Sequence, residues 1–400
     1  MDRAVGEGAP VAAEKHYVVA QHHPAASDDN PGSPTAPFQS LRKAADVARP
    51  GDVVLVRHGR YHETSPTTTW AVAALTPLRS GTASQPIRFL AWPGEQVVVT
   101  GQEGLPVLGH NQRNYIHWEG FITDRPIAIF DSKGGEVGYC EIIGQRVATR
   151  DNHDGIRVER CTDTRIHHCD IHGVQGDSWN SAGIKIYSQG RRRVLVEDNH
   201  IHHNTTGVFD KHHGLDNIFR RNLLTNNELC FQGNNQGEPA TFTIRDNVID
   251  GNVELLIRNS ASKIHNNLFR TDRVTGTWVR EPDTIANLEF WNNIVVAQGT
   301  ILVYTQGSPR SGREIALLNH NLYTGTPTYQ FGQSSLGLAQ MRQLGFETES
   351  RLVSADNQLF GPDGKVAPQW NAFGRYHDPP GPEDLSQILN TSRYGPAARK

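Results

Sequence analysis

Five short segments of like pattern follow one another in the middle of the chain. They are Gly155-Ile-Arg-Val-Glu, Gly183-Ile-Lys-Ile-Tyr, Gly207-Val-Phe-Asp-Lys, Leu229-Cys-Phe-Gln-Gly and Glu254-Leu-Leu-Ile-Arg. Aligned on their first residues and read with the two-residue alternation of a strand, they turn Ile156, Ile184, Val208, Cys230 and Leu255 inward. The outward columns then hold Arg157, Lys185, Phe209 and Phe231, and beside them Glu159, Tyr187, Lys211 and Arg258. Cations interleaved with rings suit a sugar, because aromatic faces stack on its C–H bonds and cations pair with its carboxylates. The plainer reading is a solvated sheet surface. Against it, like charges on neighbouring strands repel unless an anion visits.

On a uronate-containing polymer such a strip could serve β-elimination. That reaction needs a base for the C5 proton, a cation to neutralise the uronate carboxylate and an acid for the leaving oxygen. Lys211 or Lys185 would be the base, Arg157 and Arg258 or a Ca²⁺ ion the neutraliser, and Tyr187 or His212 the acid, with Phe209 and Phe231 holding the sugar. Lys211 is the sharper expectation. It falls one rung and two residues from Lys185, roughly 8 Å away, and a neighbouring cation with partial burial favours a neutral amine. Asp154, Glu159 and Asp177 could offer oxygens to Ca²⁺ at the mouth of the strip, although Asp more often caps turns. Two carboxylates among Asp154, Glu159, Asp177 and Asp210 lying ~6.5–9.5 Å apart would instead make an inverting hydrolase, and a strip without perturbed groups a binding module. Asp210 falls in the inward column. Of the 19 histidines, many cluster between His153 and His213, without the spacing of a metalloprotease zinc site. His167, His168, His202 and His203 lie beside the anchor positions described next and read as structural.

Those strands need a frame. Gly120-Phe-Ile, Cys140-Glu-Ile-Ile, Cys169-Asp-Ile-His, Asn199-His-Ile-His, Asn222-Leu-Leu-Thr, Asn247-Val-Ile-Asp, Asn267-Leu-Phe, Asn293-Ile-Val-Val and Asn321-Leu-Tyr recur every twenty to thirty residues. That irregular period predicts one coil of a right-handed parallel β-helix per repeat, with an inward Asn stacked on the Asn of the next coil. Cys140 and Cys169 take the anchor place as small buried thiols, a disulfide across rungs being the alternative. A chain of 400 residues with 38 Gly and only 36% apolar residues fits such an all-β solenoid, whose core lengthens with each rung. The expected organisation is a disordered segment over 1–15 and an N-terminal cap over 16–63 with a short helix at 39–48. The β-helix follows over 64–333, then a capping helix near 336–344 and a loosely ordered wrapping tail within 334–400.

With 39 basic and 42 acidic residues, the net charge of −3 points to neither nucleic acid nor a membrane surface. The expected partner is an acidic polysaccharide and the expected state a monomer. The first twenty residues lack the pattern of a signal peptide, yet the architecture predicts a secreted or periplasmic protein.

Several phrases together resemble a known group: Tyr17-Val-Val-Ala with Ser27-Asp-Asp-Asn-Pro-Gly, Pro37-Phe-Gln-Ser-Leu-Arg-Lys-Ala-Ala, Pro50-Gly-Asp-Val-Val-Leu-Val-Arg and Pro86-Ile-Arg-Phe-Leu-Ala-Trp-Pro-Gly-Glu. The group is the exported right-handed parallel β-helix proteins of the polysaccharide lyase type, the pectate-lyase-like superfamily, and the likeness spans roughly residues 16–360. The scaffold hosts lyases, hydrolases, epimerases and binding proteins, so the resemblance speaks to architecture. Of the polygalacturonase-like motifs only Asn152-His153-Asp154 resembles a counterpart. The adjacent aspartate pair and the Gly-His-Gly are missing, and the Arg-rich signature of the main pectate lyase family is not evident. Gly183-Ile184-Lys185-Ile186 resembles the Gly-apolar-Lys strand of calcium-and-lysine lyases, without their dense aspartate cluster.

Overall fold

A computed structural model describes residues 15–70, 72–212, 214–234, 240–256, 260–271, 274–276, 287–296, 300–304, 315–331, 333–353, 359–360, 365–370, 373–375 and 380–399. Residues 1–14 of the expected disordered segment, and Arg258, lie outside these residues. The chain winds through three parallel sheets of twelve, twelve and eight strands, each strand pairing with its counterpart one coil away. One continuous core of Ile, Val, Leu and Phe fills the tube from Val19 to Met341.

The anchor repeat marks the corner between the first two sheets. The residue before each anchor from Tyr139 to His320 takes a left-handed conformation with φ between 52° and 57°. One such residue turns the strand direction sharply, and polar side chains tolerate it through local hydrogen bonds. The anchor then turns inward. Each Asn Oδ1 accepts from the backbone N–H and the amide of the Asn one coil before, at 2.9–3.1 Å for Asn222, Asn247 and Asn267. Cys169 heads this column through its N–H to Asn199 Oδ1. All four cysteines are free and buried, and the Cys140 and Cys169 thiols donate to backbone carbonyls, so the disulfide alternative is not formed. In the first coil Gly120 is itself the left-handed residue, one position before the anchor Phe121. A second amide pair, Asn204 and Asn227, lines the next corner; both sit five residues beyond an anchor, a spacing that could have revealed them.

The ends are closed by real packing. The helix Leu41–Val47, capped by Ser40 Oγ on the Lys43 N–H, buries Leu41, Ala44 and Ala45 on the first coils. Residues 16–63 are not a cap apart: His16–Val19 and Val53–Val56 open the first sheet and Gly59–Glu63 the second. The helix Leu338–Gln343 buries Met341, and the amide column ends on Ser350 and the buried Glu347. The described residues of the tail pack against the solenoid. A further helix, Leu385–Leu389, and Trp370 and Tyr394 cover an apolar stripe of Leu223, Val248, Leu268, Ile294 and Leu322 on the second sheet's outer face. Burial of that stripe gives the tail its own core. Arg393 on Asp198 (3.2 Å) and Arg399 on Glu119 (3.4 Å) then fix it along the solenoid.

Candidate active site

The strip lies on the third sheet, on His153–Glu159, Ser181–Tyr187 and Thr206–Lys211. Three glycines set its shape. A Cβ on Gly155, Gly183 or Gly207 would come within 2.5–2.9 Å of the next strand's carbonyl oxygen, so only glycine fits. Gly155 faces Ile142 and Val174 of the interior, and Ile156, the next residue, is buried there as well. Two successive inward residues shift the alternation by one. Asp154 therefore emerges on the same side as Arg157 and Lys185, which simple alternation from Ile156 would forbid.

Beyond the glycines the register runs as the sequence predicts for three coils: Arg157, Lys185 and Phe209 in one row, Glu159, Tyr187 and Lys211 in the other. The fourth coil is displaced. Val208 pairs with Phe231 and Phe209 with Gln232, so Cys230 takes the glycine position and both Cys230 and Phe231 face the core. Phe231 packs edge-on against Phe219 and cannot touch a sugar. Gln232 continues the outward row instead, buried beside Phe209.

Lys185 is the centre of the site. Its side chain is 0% exposed, with Nζ 2.7 Å from Asp154 Oδ1, at an angle outside that of a directed hydrogen bond. Nζ donates to Asn152 Oδ1 at 3.0 Å and to the Asn180 carbonyl. Tyr187 donates its hydroxyl to the same Asn152 oxygen at 2.9 Å. Burial drives the Lys185 amine down to about 8, the attraction of Asp154 opposing it and the nearby Lys211 and Arg157 assisting. Burial also raises the Asp154 carboxyl against the pull of Lys185. Loss of water outweighs mutual attraction for both partners, so each is pushed toward its neutral form.

The other expected residues group around this pair. Lys211 is half-buried, its Nζ over the rings of Tyr187 (5.1 Å) and Phe209 (5.5 Å) and 3.3 Å from Asn180 Oδ1. The His212 ring lies 5.0 Å from that of Tyr187. Arg157 stacks on Tyr187 (4.7 Å), Trp70 (5.1 Å) and Phe130 (5.6 Å), and pairs with Glu159 at 2.7 Å. Asp210 does face inward, where burial pushes its carboxyl up to about 7 while Asn217 donates to it, so it takes no part in the strip.

The calcium ligands expected do not assemble. Asp154 is held by Lys185, Glu159 by Arg157 and Arg160, and Asp177 by Arg146 at 2.9 Å. Arg157 lies against both Asp154 (3.8 Å) and Glu159, while Asp177 pairs apart from them with Arg146, so the three carboxylates face cations rather than converging as a calcium cage requires. Sequence reasoning missed Asn152, Asn180 and Trp70, which reach the site from loops; only the isolated Trp in a Thr run hinted at itself.

With this geometry in hand, similarity to known proteins has a place to attach. Residues 111–224, which include all three strands of the strip, match the family model described as right handed beta helix region. The chain folds as a right-handed parallel β-helix. Pectate lyase PEL9 of Emericella nidulans is 29% identical over 186 residues, 42% of this chain and 38% of that protein. The uncharacterised protein YwoF of Bacillus subtilis is 28% identical over 137 residues, 32% of this chain and 27% of that one. The chain thus aligns with well under half the length of either curated relative. Among solved structures, XylC in complex with xylose superposes with a TM-score of 0.53 at 14% identity, over 86% of this chain and 87% of that one. The PL6 family alginate lyase AlyGC does so at 0.50 and 12%, over 95% and 58%. At such identities the superpositions speak to the fold. Among the described residues no helix is long and apolar enough to cross a membrane.

Proposed function

We propose that the chain is an exported, monomeric polysaccharide lyase that cleaves a uronate-containing polymer by β-elimination on the third sheet, with Lys185 as the base. One observation carries the reading: an amine lowered to about 8 by burial, beside Lys211, Arg157 and Tyr187 on one strip. The match to the Gly-apolar-Lys strand and the likeness to a pectate lyase support it. Near pH 8 about half of the Lys185 amines are neutral and can accept the C5 proton. The C–H electrons form the C4–C5 double bond, the O4 bond breaks, and Tyr187 supplies the proton to the leaving oxygen. Lys211, on the open side, pairs with the uronate carboxylate, and Arg157 shares that work as far as Glu159 releases it. Lys185 lies beneath Asn180, so sugar entry has to lift that residue. Lys185 takes the base role in place of Lys211 because it is fully buried, and loss of solvent favours a neutral amine.

The purified protein is expected to depolymerise at least one member of a panel including polygalacturonate and alginate, with ultraviolet absorbance of 4,5-unsaturated ends as the readout. Saturated reducing ends alone would replace the lyase by a hydrolase, and measurable binding without cleavage by a carbohydrate-binding β-helix.

A further inference from the structure

The outer face of the second sheet changes character along its length. The row that is apolar from Leu223 onward reads Glu141, Asp170 and His200 in the coils before it, and the adjacent row reads Ile143, His172 and His202. In this polar stretch Asp170 Oδ1 lies 2.9 Å from His202 Nε2 and 3.3 Å from His200 Nδ1, and the three atoms all fall within 4.8 Å of one another. Four ligands at ~2.0–2.2 Å around a tetrahedral ion stand about 3.3–3.6 Å apart; the Asp170–His200 contact has that length, and the shorter Asp170–His202 contact, a hydrogen bond, opens by a few tenths of an ångström to admit an ion.

The far sides of the two rings are also held. His200 Nε2 meets Thr225 Oγ1 at 3.3 Å, and His202 Nδ1 meets His203 Nδ1 at 2.6 Å. The rings themselves stack at 4.0 Å. A partner on the remote nitrogen orients each ring toward Asp170, and with the proton on that remote nitrogen the near lone pair is left for a metal. Beside them His172 stacks on His202 at 4.9 Å and faces Glu141 at 3.5 Å.

Two nearby carboxylates are matched by arginine, Glu197 by Arg165, Arg220 and Arg221, and Asp198 by Arg221 and Arg393. Asp170 is met by imidazoles. A second cluster, His117, Glu119 and Glu136, has the spacing too, but Arg165 sits 3.5 Å from Glu136 and Arg399 3.4 Å from Glu119, and those cations would repel an ion. At the first cluster a cavity of about 440 Å³, lined by Glu141, Asp170 and the tail residues 394–397, leaves room for a fourth ligand.

We propose that Asp170, His200 and His202 bind one divalent first-row transition-metal ion of the zinc class, with water in the fourth position facing that cavity. Two imidazoles and one carboxylate suit zinc rather than calcium. The site lies under the tail, where the Tyr394 ring is 5.7 Å from that of His200, so the ion also stiffens the seam between tail and solenoid. The proposal uses a different sheet from the lyase strip and stands or falls independently of it.

The test uses the full chain without a histidine tag, stripped by chelation and titrated with zinc chloride by calorimetry. One ion per chain is expected, with a rise in melting temperature. His202→Gln and Asp170→Asn are each expected to weaken binding by more than about tenfold and to abolish that rise, while His117→Gln leaves both intact. Absence of saturable binding, survival of binding in both ligand variants, or its loss in His117→Gln would each overturn the site. Should a ligand variant fail to fold, Co²⁺ on the unaltered chain decides. Intense tetrahedral d–d absorption is expected, and a weak octahedral spectrum rejects the geometry.

Discussion

Two buried polar arrays run across consecutive rungs of this solenoid, and they behave oppositely. At the corner between the first two sheets, Asn199, Asn222, Asn247, Asn267 and Asn293 each pass a hydrogen bond to the next amide and to a backbone carbonyl, and Asn321 closes the column on Ser350 and Glu347. On the third sheet, Lys185 and Asp154 form one charged pair with no copy on the neighbouring coils, and the carboxylate lacks a directed hydrogen bond. The neutral column satisfies every donor and acceptor it buries, so it costs little desolvation and returns rigidity. The charged pair leaves both ions short of water, so both are pushed toward their neutral forms. Repetition marks the part of a solenoid that holds it together; an unrepeated buried charge marks where its chemistry can reside.

The largest expected separation between the two arrays is catalytic. Lys185→Ala is expected to lower turnover of the uronate polymer by about 10²–10⁴-fold with an unchanged circular-dichroism spectrum. Lys211→Ala, by contrast, is expected chiefly to raise KM, by about tenfold. If Lys211→Ala abolished turnover and Lys185→Ala retained it, the two roles would exchange.

Next in size is the cost of breaking the column. Asn247 donates to Asn267 Oδ1 and to the Phe219 and Arg245 carbonyls, and accepts from Asn222. Asn247→Ala leaves several of these groups buried and unpaired, at an expected ~2–4 kcal/mol in urea denaturation. A loss below about 1 kcal/mol would remove the column's claim to hold the fold.

Asp154→Asn probes the pair from the other side. Without the carboxylate, burial acts on Lys185 with less opposition, and the amine falls further below about 8. The alkaline-rising limb of the pH–rate profile is expected to move to lower pH. A limb that stays in place would mean that a group other than Lys185 titrates in catalysis.

The smallest effect is on stability against pH. Lys185 titrates at about 8 in the folded chain against an ordinary 10.5. Between these values the unfolded chain binds the extra proton, so its contribution to stability rises with pH across that window. Lys185→Met should remove this slope in melts at successive pH values, while Asn247→Ala should keep it.

Much of the solenoid was legible because its signals are local. The left-handed residue, the inward anchor and the period-two strands each fit within a few residues, and they recur. The two rows around Lys185, Tyr187 and Lys211 followed from that pattern, since Gly155, Gly183 and Gly207 open their strands alike. The errors begin where a coil departs from the pattern. At Leu229 the register slips by one residue because Cys230, not Leu229, fills the glycine place, and Phe231 turns inward. Asp154 reaches Lys185 because two successive residues face the core, a bend dictated by carbonyls on the next strand.

What the sequence determined alone is the coil and, on the three strands that open with glycine, the outward rows of Arg157, Lys185 and Phe209 and of Glu159, Tyr187 and Lys211, since both depend on alternation and turn chemistry within one rung. The tertiary structure decided which charges meet. Asp154 and Lys185, or Asp170 with His200 and His202, are some thirty residues apart in the chain, and their meeting depends on inter-rung register. Loops from Trp70, Asn152 and Asn180 complete the strip on the third sheet. Register and loop placement come from packing and hydrogen bonds between coils, and no local window of residues contains those contacts.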